Sequence, residues 1–372
     1  RSAPLMYSGP LSQRMTRGGH GQRWQPCDTL IVMCYSAMVL ADLMKLERLY
    51  GARVDDALFA QTVEVRWWEG QARLPKALDD SLLARGGPAA EWVKKWRTRR
   101  ADDLTQELFA QKRRVADAER ALQVKETKKA REDVRIGTDK MGKAQVALDD
   151  LRRAEPKDRD NRIYPGTYTS VIVAEGGQRV IRPMRYQCRP AGKPASYDRQ
   201  YPGTYNARRD NLEGFWKGQF GHTHGVMVAS RFYENVDGPD GKNQVLEFTP
   251  RDEEPMLIAC LWSNWTDPKG KEPDLLSFAA ITDEPEPEVA AAGHDRTIIN
   301  IKPEHIDAWL NPDPGDLAAI YGIFDDKRHP YYEHRKMFNH IRAITWRKKE
   351  FDCHCKHYRK RCEKTIVCRF CI

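Results

Sequence analysis

The sequence lacks any run of eighteen or more apolar residues, so it offers no segment long and apolar enough to cross a membrane as a helix. The short apolar patch at residues 30–33 has neither the length nor the flanking residues of a signal peptide. We therefore expect a globular protein that makes no membrane contact. We place it in the cytoplasm, where its nine cysteines would normally be reduced.

The central part of the chain also lacks an excess of positive charge. Residues 1–32 carry a net +3 and residues 338–372 a net +7, so of the total of +9 only −1 remains for residues 33–337. The basic balance thus belongs to the two ends. Contact with nucleic acid in the central part would have to come from a local patch of cations.

The two ends differ in composition from the rest. Residues 1–32 mix Gly, Pro, Arg and Ser with no helical or strand period, and we interpret them as a disordered leader or as a mis-assigned start before Met33. Residues 338–372 form a basic, cysteine-rich tail, which we interpret as an appendage or a frame-shifted read-through. These boundaries leave residues 33–337 as one domain.

A zinc site is the alternative interpretation of the tail. The final Cys-x-x-Cys has ordinary zinc-ligand spacing, but the first cysteine pair is too close for a zinc knuckle. The four candidate ligands are Cys353, Cys355, Cys368 and Cys371. His222 and His224 form another possible pair without an accompanying cluster of carboxylates or cysteines. We rank both metal sites below a protein that needs no metal or other cofactor.

A helical arm is predicted over residues 89–154, where no proline occurs between Pro88 and Pro156. Apolar residues recur at helical spacing in two stripes, one from Leu104 to Leu122 and one from Val146 to Leu151. We expect two helices that form an antiparallel hairpin inserted in the domain, packing on itself, on a second copy or on a protein partner. The bland alternative is a charged helical pair that is simply solvated.

The remaining pattern predicts an α+β fold. Apolar residues at helical spacing predict a helix over 37–50, and Gly51 ends it. Alternation around Glu175-Gly176-Gly177 predicts a β-hairpin. Further strands are predicted at 226–232, 245–248, 256–262 and 276–282, and helices at 305–310 and 316–323. Short strands with peripheral helices are typical of an α+β domain.

Met33-Cys34 is the candidate start of the working protein. If Cys34 were the first residue, its α-amine and thiol would lie on adjacent carbons. The amine could condense with an aldehyde to an imine, and the thiol could then close a five-membered thiazolidine ring on the same carbon. The alternative is a small buried cysteine in the core.

Six motifs in sequence order give the chain a family resemblance. The order runs from Met33-Cys34 through Met184-Arg185-Tyr186, Asn206-Ala207-Arg208, Phe232-Tyr233-Glu234 and Leu261-Trp262 to His294-Asp295-Arg296. In this order and in these residue types the chain resembles the SOS-response-associated peptidase family. The resemblance covers residues 33–337 apart from the arm. It implies mainly antiparallel, curved β-sheets with peripheral helices.

The chain departs from the family pattern at three points. Tyr35-Ser36 stands where the family has Gly-Arg, Tyr186-Gln187 where it has Trp-Gly, and Thr297-Ile298 where it has Met-Pro. The catalytic residue types are kept, whereas positions expected to line the DNA groove differ. We interpret the chain as a divergent, arm-bearing branch.

The resemblance implies covalent capture of abasic sites in single-stranded DNA through the Cys34 thiazolidine, with a lyase-like or autopeptidase activity that removes the residues before Cys34. It implies that Glu234 moves protons, His294 contacts the sugar hydroxyl and Asn206 holds the amine or a phosphate. The expected catalytic residues are Cys34, Asn206, Glu234 and His294. The expected DNA-binding residues are Arg185, Tyr186, Arg208 and Arg296.

Two other functions remain open on the sequence. One is a cysteine peptidase acting on other proteins, against which the chain shows no Cys-His-Asn order with a helix-borne cysteine. The other is a non-catalytic nucleic-acid-binding or protein-binding adaptor that works through the arm and the basic ends.

Overall fold

A computed structural model of the chain describes residues 36–70, 72–238 and 240–337. Cys34, the predicted leader 1–32 and the predicted tail 338–372 with its candidate zinc ligands lie outside the described residues. The domain boundaries at 33 and 337 therefore stay predictions.

A short strand opens the described chain, five helices and a second short strand follow, and the other strands come after residue 160 with short helices between them. The helices are α1 (Leu43–Tyr50), α2 (Asp56–Glu69), α3 (Lys76–Arg85), α4 (Gly87–Val124), α5 (Lys128–Arg152), α6 (Tyr197–Gln200), α7 (Pro287–Ala291), α8 (Ile306–Leu310) and α9 (Leu317–Asp325). The strands are β1 (Ser36–Val39), β2 (Arg53–Val54), β3 (Arg162–Ile163), β4 (Tyr168–Glu175), β5 (Gln178–Tyr186), β6 (Asn206–Arg208), β7 (His224–Asp237), β8 (Asn243–Pro250), β9 (Met256–Trp265), β10 (Leu275–Asp283), β11 (Thr297–Ile298) and β12 (Tyr332–Lys336).

The helix predicted over residues 37–50 is wrong in its first part. Residues 36–39 form β1, which pairs antiparallel with β3 on one side and with β7 on the other. All four residues of β1 are buried, so its apolar run has no alternation to distinguish a strand from a helix. The helix begins only at Leu43, where Asp42 accepts a hydrogen bond from the Lys45 amide at 3.0 Å. It ends at Gly51 in the left-handed conformation, as predicted.

The predicted hairpin and strands are confirmed, with longer bounds. β4 and β5 are joined by Gly176 and Gly177, whose φ angles of 57° and 76° fit a two-residue hairpin turn. The predicted strands at 226–232, 245–248, 256–262 and 276–282 lie inside β7, β8, β9 and β10. The α+β class and the curved, mainly antiparallel sheet are confirmed.

The sheet curves until it closes on itself. Its strands pair in a ring, β4 with β5, β5 with β10, β10 with β9, β9 with β7 and β7 with β4. Alternate residues then face two different cores: Val171 and Val173 belong to an inner cluster, and Ile172 between them belongs to an outer one. The outer cluster is covered by α1, α2, α3, α8 and α9. The side chains of the candidate site residues Glu234 and Asn206 face the inner cluster.

The predicted arm is a hairpin of two long helices. α4 runs for 38 residues, about 57 Å, and α5 returns antiparallel to it after a three-residue turn. Buried positions repeat every seven residues, at Leu104, Gln111 and Ala118 on α4 and at Ala130, Gly137 and Ala144 on α5. This is the spacing of a two-stranded coiled coil. The apolar seam therefore packs on itself within the chain.

Among the described residues, no helix combines the length and the apolar character needed to span a membrane.

Candidate functional site

Glu234 lies on β7 with its side chain fully enclosed, at 0% exposure. Its neighbours two residues away on the strand, Phe232 and Val236, both belong to the inner cluster, so the alternation of the strand turns the carboxyl group toward that cluster as well. An enclosed carboxyl group costs folding free energy unless polar groups accompany it. A residue kept under these conditions is a candidate for chemistry.

His294 accompanies Glu234 in this enclosed space. Its Nε2 lies 3.1 Å from a carboxylate oxygen of Glu234, and the two side chains are 4% and 0% exposed. The Arg296 carbonyl oxygen lies 2.9 Å from Nδ1 and the Arg296 amide nitrogen 3.3 Å, so this backbone fixes the ring whichever tautomer is present. The two partners are 60 positions apart in the sequence. Such a pair can hold or move a proton inside the protein.

Asn206 opens the three-residue strand β6, which pairs parallel with β10 opposite Ala280. The next residue, Ala207, belongs to the outer cluster, so alternation turns Asn206 toward the inner side. Asn206 is 5% exposed. It therefore shares with Glu234 the inner face of the curved sheet.

The motif that contains His294 lies on the other side of β10 from Asn206. β10 pairs with β6 through Thr282 and Arg208, and with β11 through Thr282 and Ile298, so this strand separates the two motifs. The fold thus gathers three of the predicted motifs around one end of β10 and β7.

Arg208 lies at the exposed rim of this region, and Arg296 lies near it with only 12% of its side chain exposed. Arg208 is 42% exposed and pairs with Asp210, whose pKa is lowered mainly by the hydrogen bond from Arg208. Arg296 acts electrostatically on the same Asp210, and both Arg296 and Asp210 line a cavity of about 310 Å³. Two predicted DNA-binding arginines therefore lie close together, near the His294 motif.

Arg185 and Tyr186 lie on opposite faces of β5. Tyr186 is 3% exposed in the inner cluster, with its ring stacked on Phe278 at 5.3 Å and edge-on to Tyr205 at 5.7 Å. Arg185 lines a different cleft, of about 390 Å³ between α2 and the sheet, and pairs with Asp198 at 2.8 Å. Burial alone would raise the pKa of Asp198, but hydrogen bonds and charge from Arg189 and Arg185 outweigh it and lower that pKa. The structure does not bring Arg185 to Glu234.

Gln187, which follows Tyr186, has a backbone φ of 109°. Few residues other than glycine adopt this conformation. Its side chain donates a hydrogen bond to the Asp198 carbonyl oxygen at 3.1 Å. The departure from Trp-Gly to Tyr186-Gln187 is thus accommodated in a backbone conformation that suits glycine.

Two residues of this region escaped the sequence analysis. Arg162, just after the arm, donates to the Ser36 hydroxyl at 2.9 and 3.1 Å, and its guanidinium lies 3.6 Å from the centre of the Tyr233 ring. Glu247 accepts a hydrogen bond from the Tyr233 hydroxyl at 2.9 Å. Burial first, and then this bond, raises the pKa of Tyr233. The only local sequence signal for a buried polar contact was the charged residue Glu247 within a predicted strand.

His224 has a structural role in the core. Its Nε2 accepts from the Gly221 amide at 2.9 Å, its Nδ1 lies 2.9 Å from the Trp309 carbonyl oxygen, and its ring stacks on Trp309 at 3.8 Å. Burial lowers its pKa to about 3. Both ring nitrogens are therefore engaged by the backbone, which leaves neither for a metal. Within the described residues, no group of three or more His, Cys, Asp or Glu has the arrangement of a metal site.

A comparison with protein families finds one match. The family model described as SOS response associated peptidase (SRAP) matches residues 119–340, which is more than half of the 372 residues. The matched range begins near the end of α4 and contains Asn206, Glu234 and His294. No curated protein matches the chain.

Three of the solved structures similar to this chain come from two bacteria. A protein from Bordetella bronchiseptica is 20% identical, with 50% of this chain and 90% of that one covered and a TM-score of 0.39. A protein from Bacteroides thetaiotaomicron is 13% identical, with 48% and 78% covered and a TM-score of 0.41. A phage-related protein from Bordetella bronchiseptica is 18% identical, with 50% and 85% covered and a TM-score of 0.36.

Proposed function

The chain belongs to the SOS response associated peptidase family, and from this premise we propose that it captures abasic sites in single-stranded DNA through a thiazolidine at Cys34. Family membership supports a role associated with DNA damage. The covalent mechanism, its residues and its substrate are our proposal.

The observation that carries the proposal is the enclosed pair of Glu234 and His294, 3.1 Å apart, beside the strand that leads back to Cys34. Ser36 pairs with Tyr233, the residue before Glu234. Cys34 is two residues before Ser36, and two residues of extended chain span at most about 7 Å. A reaction that uses both Cys34 and Glu234 is therefore compatible with the length of the chain between Cys34 and Ser36.

The proposed reaction loses one molecule of water. The neutral α-amine of Cys34 adds to the aldehyde carbon of the ring-opened sugar, and the resulting carbinolamine loses water to give an imine. The Cys34 sulfur then attacks the imine carbon, the nitrogen takes up a proton, and the five-membered ring closes. The amine must be free, so the bond between Met33 and Cys34 must be cleaved first.

Glu234 is proposed as the general acid and base of these steps. It would protonate the leaving hydroxyl of the carbinolamine and accept the thiol proton during ring closure, and the same carboxylate would assist cleavage after Met33. His294 is proposed to contact the sugar hydroxyl and favour the open aldehyde. Asn206 would hold the amine or a neighbouring phosphate, and Arg208 at the rim, with Arg296 near it, would bind the phosphate backbone.

The test uses protein whose intact mass shows Cys34 as the first residue. Incubation with abasic single-stranded DNA should give an adduct that survives denaturing gel electrophoresis, and Cys34→Ala should give none. Cys34→Ala and Cys34→Ser both keep the α-amine but lack the thiol, so each should give at most an imine that is lost unless it is reduced. Absence of adduct from the correctly processed protein would contradict the proposal. Turnover of peptides in trans would instead favour the cysteine peptidase.

A further inference from the structure

Four tryptophans gather where the end of α2 meets the first part of α4. The ring of Trp67 lies 6.4 Å from Trp68 and 6.4 Å from Trp92, and Trp96 lies one turn further along α4. The proposed chemistry uses none of them. They also precede the part of the chain that matches the family model, which begins at residue 119.

Cations lie against the rings of Trp67 and Trp92. Residues 94–100 contain five Lys or Arg and no acid. The Arg99 guanidinium lies 5.1 Å from the Trp67 ring centre, and Arg99 also donates to the Trp67 carbonyl oxygen at 2.9 Å. The Lys95 ammonium lies 4.2 Å from the Trp92 ring centre. Aromatic faces and cations thus lie side by side on one surface.

Three of these five cations form no ion pair with a described acidic side chain, so their charge is available to a ligand. Arg97 pairs with Asp80, and Lys94 pairs with Glu91. No ion pair among the side chains that the structure describes involves Lys95, Arg99 or Arg100. A surface of this kind favours a polyanion over an uncharged partner.

Helix packing explains only part of the cluster. Trp67, Trp92 and Trp96 are half-buried between α2 and α4, and Trp96 covers Arg66, whose guanidinium lies 3.3 Å from its ring centre. Trp68 is different, because 69% of its surface is exposed to solvent. An exposed indole beside unpaired cations contributes little to folding. It is a surface suited to a partner with flat rings and negative charge.

We propose that Trp67, Trp68 and Trp92, with Lys95, Arg99 and Arg100, form a binding surface for unpaired nucleic acid, which we name the tryptophan platform. Bases would stack on the exposed indole, and the cations would neutralise phosphates. The inference rests on the proposed function, for which the platform would hold the strand that flanks the damaged nucleotide. The ligand class is single-stranded DNA without regard to sequence.

The backbone connects the platform to the candidate site by a short path. Arg73 follows Trp68 by five residues, at most about 18 Å of extended chain. Arg73 forms a bridge with Thr167, and the Thr167 carbonyl oxygen accepts from the Tyr186 amide at 2.8 Å. Tyr186 contacts Tyr205, which precedes Asn206. A strand that leaves the site toward α2 would therefore meet the platform within a few nucleotides.

The experiment measures reversible binding of a fluorescent oligodeoxythymidylate, which has no aldehyde, to the full chain by fluorescence anisotropy. Trp68→Ala should weaken binding about 5- to 100-fold, as expected for loss of one stacked base, and Trp68→Phe should restore most of the affinity. Lys95→Ala should reduce the steepness of the salt dependence, because one fewer phosphate is neutralised. The control is Phe109→Ala on α4, the helix that carries Trp92 and Lys95. The Phe109 side chain is 64% exposed and lies outside the platform. It should bind like the unmodified protein.

A second measurement separates the platform from the chemistry. At saturating abasic DNA, Trp68→Ala should form adduct at the unmodified rate, while the DNA concentration for half-maximal rate should rise. Equal oligonucleotide affinity of Trp68→Ala and Phe109→Ala would overturn the platform as a DNA surface and assign it to a protein contact. If no variant forms adduct yet binding depends on Trp68, the platform stands and the thiazolidine proposal falls.

Discussion

The curved sheet and the helical arm differ in the burial of their ionisable side chains. Glu234 and Glu247 on the sheet and His294 in the loop before β11 are almost completely buried, each with a polar neighbour. In the arm, pairs such as Arg120 with Asp117 and Lys143 with Asp139 remain more than half exposed. Buried charges are costly to keep and exposed pairs contribute little. The sheet region therefore bears the cost of buried ionisable groups, whereas the arm does not and is held by its apolar seam.

The largest expected effect comes from changing Glu234, a buried carboxyl group of the sheet. Glu234→Gln keeps the shape of the side chain and removes its ability to exchange protons, so we expect the single-turnover rate of adduct formation to fall at least about 100-fold. The matched control is Glu247→Gln, a buried carboxyl group on the other face of the same strand pair. It should change the rate little. A Glu234→Gln rate within threefold of the unmodified protein would remove Glu234 from the mechanism.

A buried ion pair at the base of the arm sharpens the contrast between buried and exposed charge. Arg66 bonds to Asp79 at 2.7 Å, and burial raises the pKa of Asp79 even beside this partner. Arg66→Met leaves a buried carboxylate alone, so the free energy of unfolding should fall by about 3–5 kcal/mol in urea denaturation.

Two further variants complete that test. The double variant Arg66→Met with Asp79→Leu should recover most of the loss, because no charge then remains buried. Arg135→Met removes an exposed pair with Glu132 in the arm and should cause no measurable change. Equal effects of Arg66→Met and Arg135→Met would contradict the contrast.

Two glycines of α5 test whether the seam holds the arm. A Cβ at Gly137 would lie 2.6 Å from a methyl carbon of Val115, whereas a Cβ at Gly142 would meet nothing within 4 Å. Both changes to alanine gain the same helix propensity, so their difference isolates the clash. We expect Gly137→Ala to be less stable than Gly142→Ala by about 1–3 kcal/mol.

The readout for these glycines is hydrogen exchange of the arm amides, together with the rate of adduct formation. Exchange should accelerate in Gly137→Ala relative to Gly142→Ala, and the rate should be the same in both. A change in rate would show that the arm and the sheet are coupled.

A change of pH should act on the sheet and spare the arm, since residues 87–152 contain no histidine. His224 has a pKa lowered to about 3 by burial, so the unfolded chain binds its proton below pH 6.5 and the folded chain does not. Stability should therefore fall as the pH drops from 6.5 toward 3, by up to about 1.4 kcal/mol per pH unit from this residue. Denaturation between pH 6.5 and 5 should show a smaller slope for His224→Gln. An unchanged slope would assign the effect to other groups.

Periodic segments could be predicted from the sequence. The two apolar stripes, from Leu104 to Leu122 and from Val146 to Leu151, predicted the arm, and the Gly176-Gly177 turn predicted the central hairpin, because local spacing carries both signals. The strand β1 could not be predicted, since its buried residues lack alternation. Closure of the sheet depends on pairings between distant strands, which no local pattern specifies.

The candidate site was predicted through the order of motifs and not through physical chemistry. Glu234 and His294 are 60 positions apart, and only the fold brings them to 3.1 Å. Arg162 was missed because its contact with Ser36 spans the inserted arm. The roles of Cys34, Asn206, Arg185, Tyr186, Arg208 and Arg296 stay predictions.

The short strand β1 has a kinetic consequence. Because it is hydrogen-bonded on both edges and buried along its length, its first residue cannot diffuse away from β7. Under the proposed mechanism, the chain would hold a reactive group two residues ahead of Ser36 within about 7 Å of that residue, equivalent to a local concentration on the order of 1 M. Part of the translational entropy of bringing the proposed nucleophile and proton donor together would then be lost during folding, before DNA arrives.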